Sequence, residues 1–310
     1  MAHYLVTGAA GFIGSNITAE LVRRGDKVRA VDNLSTGRIS NLDSVMSSIE
    51  FVQADITDPA VALEAVGGVD YVLHQAALPS VPRSVKDPLA SHQANATGTL
   101  NVLIAARDAG VKRVVYASSS SVYGNSPTLP KREDMPTDPL SPYAVNKLAG
   151  EQYCKVFSLV YGLPTVALRY CNVFGPNHDP TSQYAAVIPA FITAMLEGKQ
   201  PTIYGDGLQS RDFTFISNVI SANLLACEHE EAVGYAMNIA CGQRVTLLDL
   251  VERINAVLGT HIEPIFQETR KGDVKHSLAD ISCAESKLRY KPVVSFDEGL
   301  APTIDFLAKQ

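Results

Sequence analysis

The chain's 310 residues are enough for one large domain or two smaller ones sharing a cleft, and 46% apolar with 19% charged side chains is the composition of an ordinary folded protein. With 26 basic and 32 acidic side chains the net charge is −6, with no block of either sign, which argues against nucleic acid or an anionic membrane as the main partner. The cysteines (Cys154, Cys171, Cys227, Cys241 and Cys283) are odd in number and scattered without a CxxC pair, so neither a disulfide framework nor a metal site is expected. No apolar run approaches the roughly 20 residues of a membrane helix, and a strand beginning at His3 leaves no space ahead of it for a signal peptide. A cytoplasmic, reducing setting is the expectation.

Residues 3–7 read as a short buried strand that runs into Gly8-Ala9-Ala10-Gly11-Phe12-Ile13-Gly14. Ile13, Ile17, Leu21 and Val22 then share one face of a helix that stops at Gly25. In a strand–turn–helix context, small residues let the backbone approach a pyrophosphate at the helix N-terminus, and the last glycine permits close helix–strand packing. A second strand, 27–31, ends in Asp32, eighteen residues after Gly14. An acid there accepts hydrogen bonds from an adenosine ribose and repels a 2′-phosphate, which favours NAD over NADP.

Further strands are expected at 50–55, 71–77, 113–117 and 165–170, separated by helical stretches of which 88–109 and 142–160 are the longest. Strands alternating with helices at this spacing predict a Rossmann-type α/β fold, a doubly wound parallel sheet covered on both faces. Its ligands bind beyond the carboxyl ends of the strands, where Asp55, Ala76, Ala77, Ser118, Ser119 and Asn172 fall. After Asn172 the elements shorten and Gly and Pro become frequent. This predicts a dinucleotide-binding domain over 1–172 and a smaller α/β lobe over 173–310, with a segment near 213–227 returning to the first domain.

Tyr143 and Lys147 sit four residues apart just inside a helix that Ser141 can cap and Pro142 can open. That spacing puts a phenol and an ammonium on one helix face. A phenol titrates near pH ~10, so a base at neutral pH needs a shift of roughly 3 units, about 4 kcal/mol. One cation about 4 Å away in partly screened surroundings supplies about that much. The expectation is therefore that Lys147 lowers the Tyr143 pKa.

The glycine turn from Thr7 to Gly14, the serine-rich strand end around Ser119, Tyr143-x-x-x-Lys147, and Arg169-Tyr170-Cys171-Asn172-Val173-Phe174-Gly175-Pro176 resemble the extended short-chain dehydrogenase/reductase superfamily. With the stretches 207–213 and 270–277 the resemblance covers nearly the whole chain. It is most similar to the UDP-hexose 4-epimerases. Ser80-Val81-Pro82-Arg83-Ser84 and Tyr184-Ala185-Ala186-Val187-Ile188-Pro189 point to the branch acting on N-acetylated sugars.

The resemblance implies a redox-neutral reaction on tightly held NAD. Tyr143 takes the proton of the sugar 4-OH while C4 yields hydride, and the 4-keto sugar turns over and receives the hydride on its other face. Ser119 bonds the 4-oxygen, and Lys147 holds the nicotinamide ribose. By the same resemblance Phe12, Ile13, Asn33, Ile56 and Gln75 join Gly8, Gly11, Gly14, Asp32, Asp55, Ala76 and Ala77 around the cofactor. Asn172, Arg211 and Arg270 would meet the diphosphate, Asp273 the uridine ribose and Tyr204 the uracil, with Ala186 and Val187 also on the sugar-nucleotide side. Ser277 stands where a bulky tyrosine goes with enzymes restricted to non-acetylated hexoses. A serine leaves room for a 2-acetamido group, so UDP-GlcNAc and UDP-GalNAc should fit, alongside UDP-Glc and UDP-Gal.

Three alternatives stand beside this reading. A 4,6-dehydratase needs an Asp-Glu pair where this chain has Ser120 and Ser121. A UDP-glucuronate 4-epimerase or decarboxylase is kept open by Arg83, and a non-catalytic NAD-sensing protein would be expected to lose the Tyr/Lys pair. Relatives pair the helices at 88–109 and 142–160 with their copies, so a homodimer is expected.

Overall fold

The computed structural model describes residues 1–179, 187–269 and 275–310. In chain order its main elements are β1 (His3–Thr7), α1 (Phe12–Arg23), β2 (Lys27–Asp32), β3 (Glu50–Gln53), α2 (Pro59–Val66), β4 (Tyr71–His74), α3 (Val81–Lys86), α4 (Pro88–His92), α5 (Gly98–Asp108), β5 (Arg113–Ser119), α6 (Pro142–Tyr161) and β6 (Thr165–Tyr170). Then come β7 (Val173–Phe174), α7 (Val187–Leu196), β8 (Thr202–Tyr204), β9 (Ser210–Arg211), β10 (Thr214–Phe215), α8 (Ile216–Glu228), β11 (Ala236–Ile239), β12 (Val245–Thr246), α9 (Leu247–Leu258), β13 (Ile265–Gln267), α10 (Ser282–Leu288) and α11 (Phe296–Leu307).

Seven of the strands form one parallel sheet in the order β3-β2-β1-β4-β5-β6-β11. The near-continuous apolar runs of its central strands follow from burial on both faces. Tyr4 and Val6 of β1 pack with Ile17 and Leu21 of α1 on one face, and Leu5 packs with Ala62 of α2 and Val102 and Leu103 of α5 on the other. The chain lays down β1, β2 and β3 in one direction and then returns to set β4 on the other side of β1. The switch point therefore opens between the carboxyl ends of β1 and β4.

Several expected elements differ in detail; the strand expected over 50–55 ends at Gln53, which leaves Ala54 and Asp55 in the loop after it. The helix over 88–109 is interrupted by a π-type turn, Gln93–Thr97, between α4 and α5. Within it Asn95 accepts from the Leu78 N–H (2.7 Å) and donates to the Leu78 carbonyl (3.1 Å), binding the loop after β4 to the helix. The strand expected over 71–77 ends at His74, so Gln75, Ala76 and Ala77 belong to that loop. The chain does come back to the large sheet through α8, which packs on α1 and β5, but the return extends past 227, because β11 is the seventh strand. The remaining strands form three two-stranded ladders, β7–β10, β9–β12 and β8–β13, and Phe174, Phe213, Phe215 and Phe296 pack against one another edge-on or tilted. Among the described residues no helix is long and apolar enough to cross a membrane.

Helix α6 is capped as its residues dictate: the Ser141 hydroxyl accepts from the Ala144 N–H (3.2 Å), Pro142 opens the first turn, and Gly162 closes it in the left-handed conformation (φ 70°). Its approach to β5 depends on Gly150, where an added methyl would collide with the Tyr116 hydroxyl. Gly150→Ala is therefore expected to destabilise the fold by about 1–3 kcal/mol despite alanine's better helix propensity. Denaturant unfolding checks this, and Tyr116→Phe on top of it should recover part of the loss.

Candidate active site

The turn after β1 is shaped by contacts that exclude side chains. Gly8 lies at φ 66°, and a Cβ there would come within 2.7 Å of the Ala76 backbone; one on Gly14 would strike the Gly8 carbonyl. The Gly11 N–H donates to the Gly8 carbonyl (3.1 Å), and no side chain caps α1, so its first turn, Gly11 to Gly14, faces a cavity of about 610 Å³. Bare backbone at a helix N-terminus is what a diphosphate requires. The fit extends along the cleft: every residue expected to hold the cofactor lines this one cavity, from Gly8, Gly11, Phe12, Ile13 and Gly14 through Asp32, Asn33, Asp55 and Ile56 to Gln75, Ala76, Ala77, Tyr143 and Lys147.

Asp32 is buried, and its carboxylate accepts from the Ala10 N–H (2.9 Å) and the Leu34 N–H (2.8 Å). Burial raises its pKa despite those donors, and its oxygens keep lone pairs for a ribose hydroxyl. Beside it Asn33 donates to Asp55 (2.9 Å), which tethers β2 to the end of β3. At the other end Gln75 accepts from the Tyr170 hydroxyl (3.1 Å) and donates to Asn223 of α8 (3.0 Å), closing the floor.

Tyr143 and Lys147 project from the first turns of α6 into the same cleft, and Ser119, the last residue of β5, stands beside Tyr143 with its hydroxyl accepting from the Ser121 N–H (3.2 Å). Lys147 donates to the Ala117 carbonyl (2.7 Å), and its ammonium stands 5.8 Å from the Tyr143 ring centre and 5.1 Å from that of Tyr116. Burial raises the Tyr143 pKa, and the group that draws it back is Ser119. This differs from the expectation from the spacing: the Lys147 ammonium is directed at a backbone carbonyl, and the serine is the neighbour that favours the phenolate. Burial also lowers the Lys147 ammonium to about 8.

Among the described residues, Asn172, Val187, Tyr204, Arg211 and Ser277, expected on the sugar-nucleotide side, do not line the cavity but lie in the chain beyond β6. Asn172, at φ 39°, donates to the Asp212 carbonyl (3.1 Å) and to the Ser277 hydroxyl (3.2 Å), so these two expected residues are in contact. Arg211 on β9 donates to the Ser210 and Lys275 carbonyls (3.0 and 3.1 Å), Tyr204 ends β8, and Val187 begins α7. Ala186, Arg270 and Asp273 lie outside the described residues.

Three stretches lining the cavity were missed. The loop after β2 contributes Ser35, Thr36 and Arg38, and Gly37 within it lies so close to Ala10 that a Cβ would come within 2.8 Å of the backbone. Asn177, His178 and Asp179 close over the glycine turn, with His178 stacked on Phe12 (4.4 Å) and Asp179 paired with Arg38 (2.7 Å). Leu78 and Pro79 form the wall after β4, next to Ser80 and Arg83, which the sequence already singles out. Gly37 was the available signal for the first; the other two depend on contacts across the fold.

A side-chain-free cradle at the switch point of a parallel sheet, with a Tyr/Lys pair over it, is the plan of an extended short-chain dehydrogenase/reductase. The pattern of the NAD dependent epimerase/dehydratase family matches residues 4–240, and the chain belongs to that family. UDP-N-acetylglucosamine 4-epimerase from Methanobrevibacter ruminantium M1, solved in complex with UDP-N-acetylmuramic acid, is 42% identical with a TM-score of 0.95, over 100% of this chain and 99% of that one. The UDP-glucose 4-epimerase of Mycolicibacterium smegmatis is 40% identical over 306 residues, 97% of each chain. The UDP-glucuronate 4-epimerase of Thermodesulfobacterium geofontis is 35% identical over 320 residues, 99% of this chain and 96% of its own. The cofactor is NAD.

Because the Asp32 carboxylate lines the ribose end of the cleft, nucleotide-stripped protein is expected to bind NADP at least about tenfold more weakly than NAD, and Asp32→Ser to narrow that ratio. Titration calorimetry with both nucleotides checks it.

Proposed function

We propose that the protein interconverts the 4-epimers of UDP-hexoses, with UDP-GlcNAc and UDP-GalNAc as substrates and UDP-Glc and UDP-Gal as a second pair. The observation that carries this is the pairing of Tyr143 and Lys147 in the wall of the dinucleotide cleft, with Ser119 at the adjoining end of β5. Bound NAD supplies a hydride acceptor for C4 of the sugar, the site from which the same hydride returns, and a positive charge while oxidised. Tyr143 removes the proton of the 4-hydroxyl as general base and gives it back as general acid. Ser119, beside Tyr143, holds the 4-oxygen and relays the proton. Lys147, fixed by the Ala117 carbonyl, holds the nicotinamide ribose hydroxyls.

In this reading residues 1–172, with the returning α8 and β11, form the cofactor domain. The rest forms the UDP-sugar lobe, with Arg211, Arg270 and Asn172 at the diphosphate, Asp273 and Tyr204 at the uridine, and Ala186 and Val187 beside them. Ser277, small and hydrogen-bonded to Asn172, supports acceptance of a 2-acetamido group.

A hexuronate is the second reading, favoured by Arg83 in the cleft wall. Dehydration is disfavoured: Ser120 and Ser121 follow Ser119, and the carboxylates among the described residues of the cavity wall (Asp32, Asp55 and Asp179) belong to its dinucleotide end. A homodimer is supported by the apolar stripe that α6 leaves exposed, Val145, Tyr153, Val156 and Val160, beside Leu89 and Ile104 of α4 and α5.

Incubation with UDP-GlcNAc, followed by the anomeric NMR signals, tests the proposal directly. Epimer formation is expected from the parent, and Tyr143→Phe should lower kcat by about 10²–10⁴-fold; parental turnover by that variant would refute the assignment. Ser277→Tyr is expected to suppress UDP-GlcNAc turnover while sparing UDP-Gal, measured as the ratio of the two kcat/KM values.

A further inference from the structure

Helix α6 carries a third polar residue in phase with the first two. Tyr143, Lys147 and Glu151 follow at four-residue intervals, so one helix face runs from the cleft into the interior. Glu151 is buried, and Arg169 of β6 is buried with it. The carboxylate takes a two-pronged guanidinium, Nε at 2.9 Å and Nη2 at 2.7 Å, and also accepts from the Ser118 hydroxyl. Arg169 donates from its remaining prong to the Tyr123 hydroxyl (2.8 Å), which donates in turn to Asn238 of β11 (2.8 Å). Ser118 and Arg169 are register partners across β5 and β6, and Ser118 immediately precedes Ser119.

A buried ion pair of this kind contributes little net stability, since well-packed apolar residues often replace one without loss. What it does supply is fixed geometry. We propose that Glu151, locked by Arg169, is a positioning residue that holds the Ser118–Ser119 end of β5 against α6, and so sets both Ser119 and Lys147 relative to Tyr143.

A second effect follows from what faces Lys147. Those groups are Tyr143 on its own helix, Tyr116 of β5, His74 of β4, and Cys154 and Glu151 further along α6, with Arg169 beyond Glu151. Burial raises the pKa of both tyrosines and of the Cys154 thiol and lowers that of His74 to about 3. Glu151, held in its ion pair with Arg169, is the carboxylate of this set. Removing it lowers the pKa of the ammonium.

The inference rests on the UDP-sugar reading, and turnover by the parent protein tests that reading separately. With the parent active, Glu151→Gln is expected to lower kcat by about 10–100-fold at unchanged KM and unchanged NAD content, and to move the alkaline fall of kcat to lower pH. The double variant Glu151→Met/Arg169→Met is expected to fold with a Tm near the parent's yet keep the low kcat. A Glu151→Gln enzyme with the parent's kcat and pH profile and only a reduced Tm would overturn the proposal, as would a double variant with parental kcat. Should Glu151→Gln fail to fold, Ser118→Ala, which leaves the ion pair intact, decides the matter. A severalfold lower kcat that Ser118→Thr restores supports positioning, and parental kcat refutes it.

Discussion

Everything in this molecule is arranged around a contact between two pieces of bare backbone. The turn after β1 presses on the loop after β4 so closely that no side chain fits at Gly8, and α1 presses on the same turn so closely that none fits at Gly14. These contacts fall where the strand order reverses, so the crevice and the helix N-terminus that serves it share one origin. A diphosphate needs both N–H donors and close approach, and side chains would obstruct each.

The chemistry sits one strand away and obeys a different constraint. Tyr143 and Lys147 enter the cleft from a helix whose interior side is packed, so both lose hydration that would favour their charged forms. The protein answers with fixed partners: Ser119 for the phenol, the Ala117 carbonyl for the ammonium, and a satisfied ion pair one turn deeper. Since all of them belong to β5, α6 and β6, the geometry depends on the packing of those three elements, which is tight enough that Gly150 sits directly on Tyr116.

The sugar-nucleotide half is built differently. Its expected residues that the structure describes come from short ladders and turns, and a direct link among them, Asn172 to Ser277, spans more than a hundred positions of sequence.

Local sequence by itself determined the parts whose physics is local. Glycine spacing after a strand, an acid at the end of the next one, a capped helix with tyrosine and lysine in phase, and apolar runs alternating with helices were enough to fix the fold class and to name part of the lining of the cleft, Gly8, Gly11, Gly14, Asp32, Tyr143 and Lys147 among it. The tertiary structure decided the rest. The π-type turn at Asn95 exists because Leu78 needs its side chain; β11 joins the sheet because α8 brings the chain back; and Asp179 reaches the cleft because Arg38 lies opposite. It also decided the electrostatics of Tyr143, since helical spacing brings two side chains to one face but says nothing of the carbonyl that claims one of them. Periodicity and turn chemistry act over a few residues and can be read along the chain, whereas burial and pairing are properties of groups that meet only once the chain has folded.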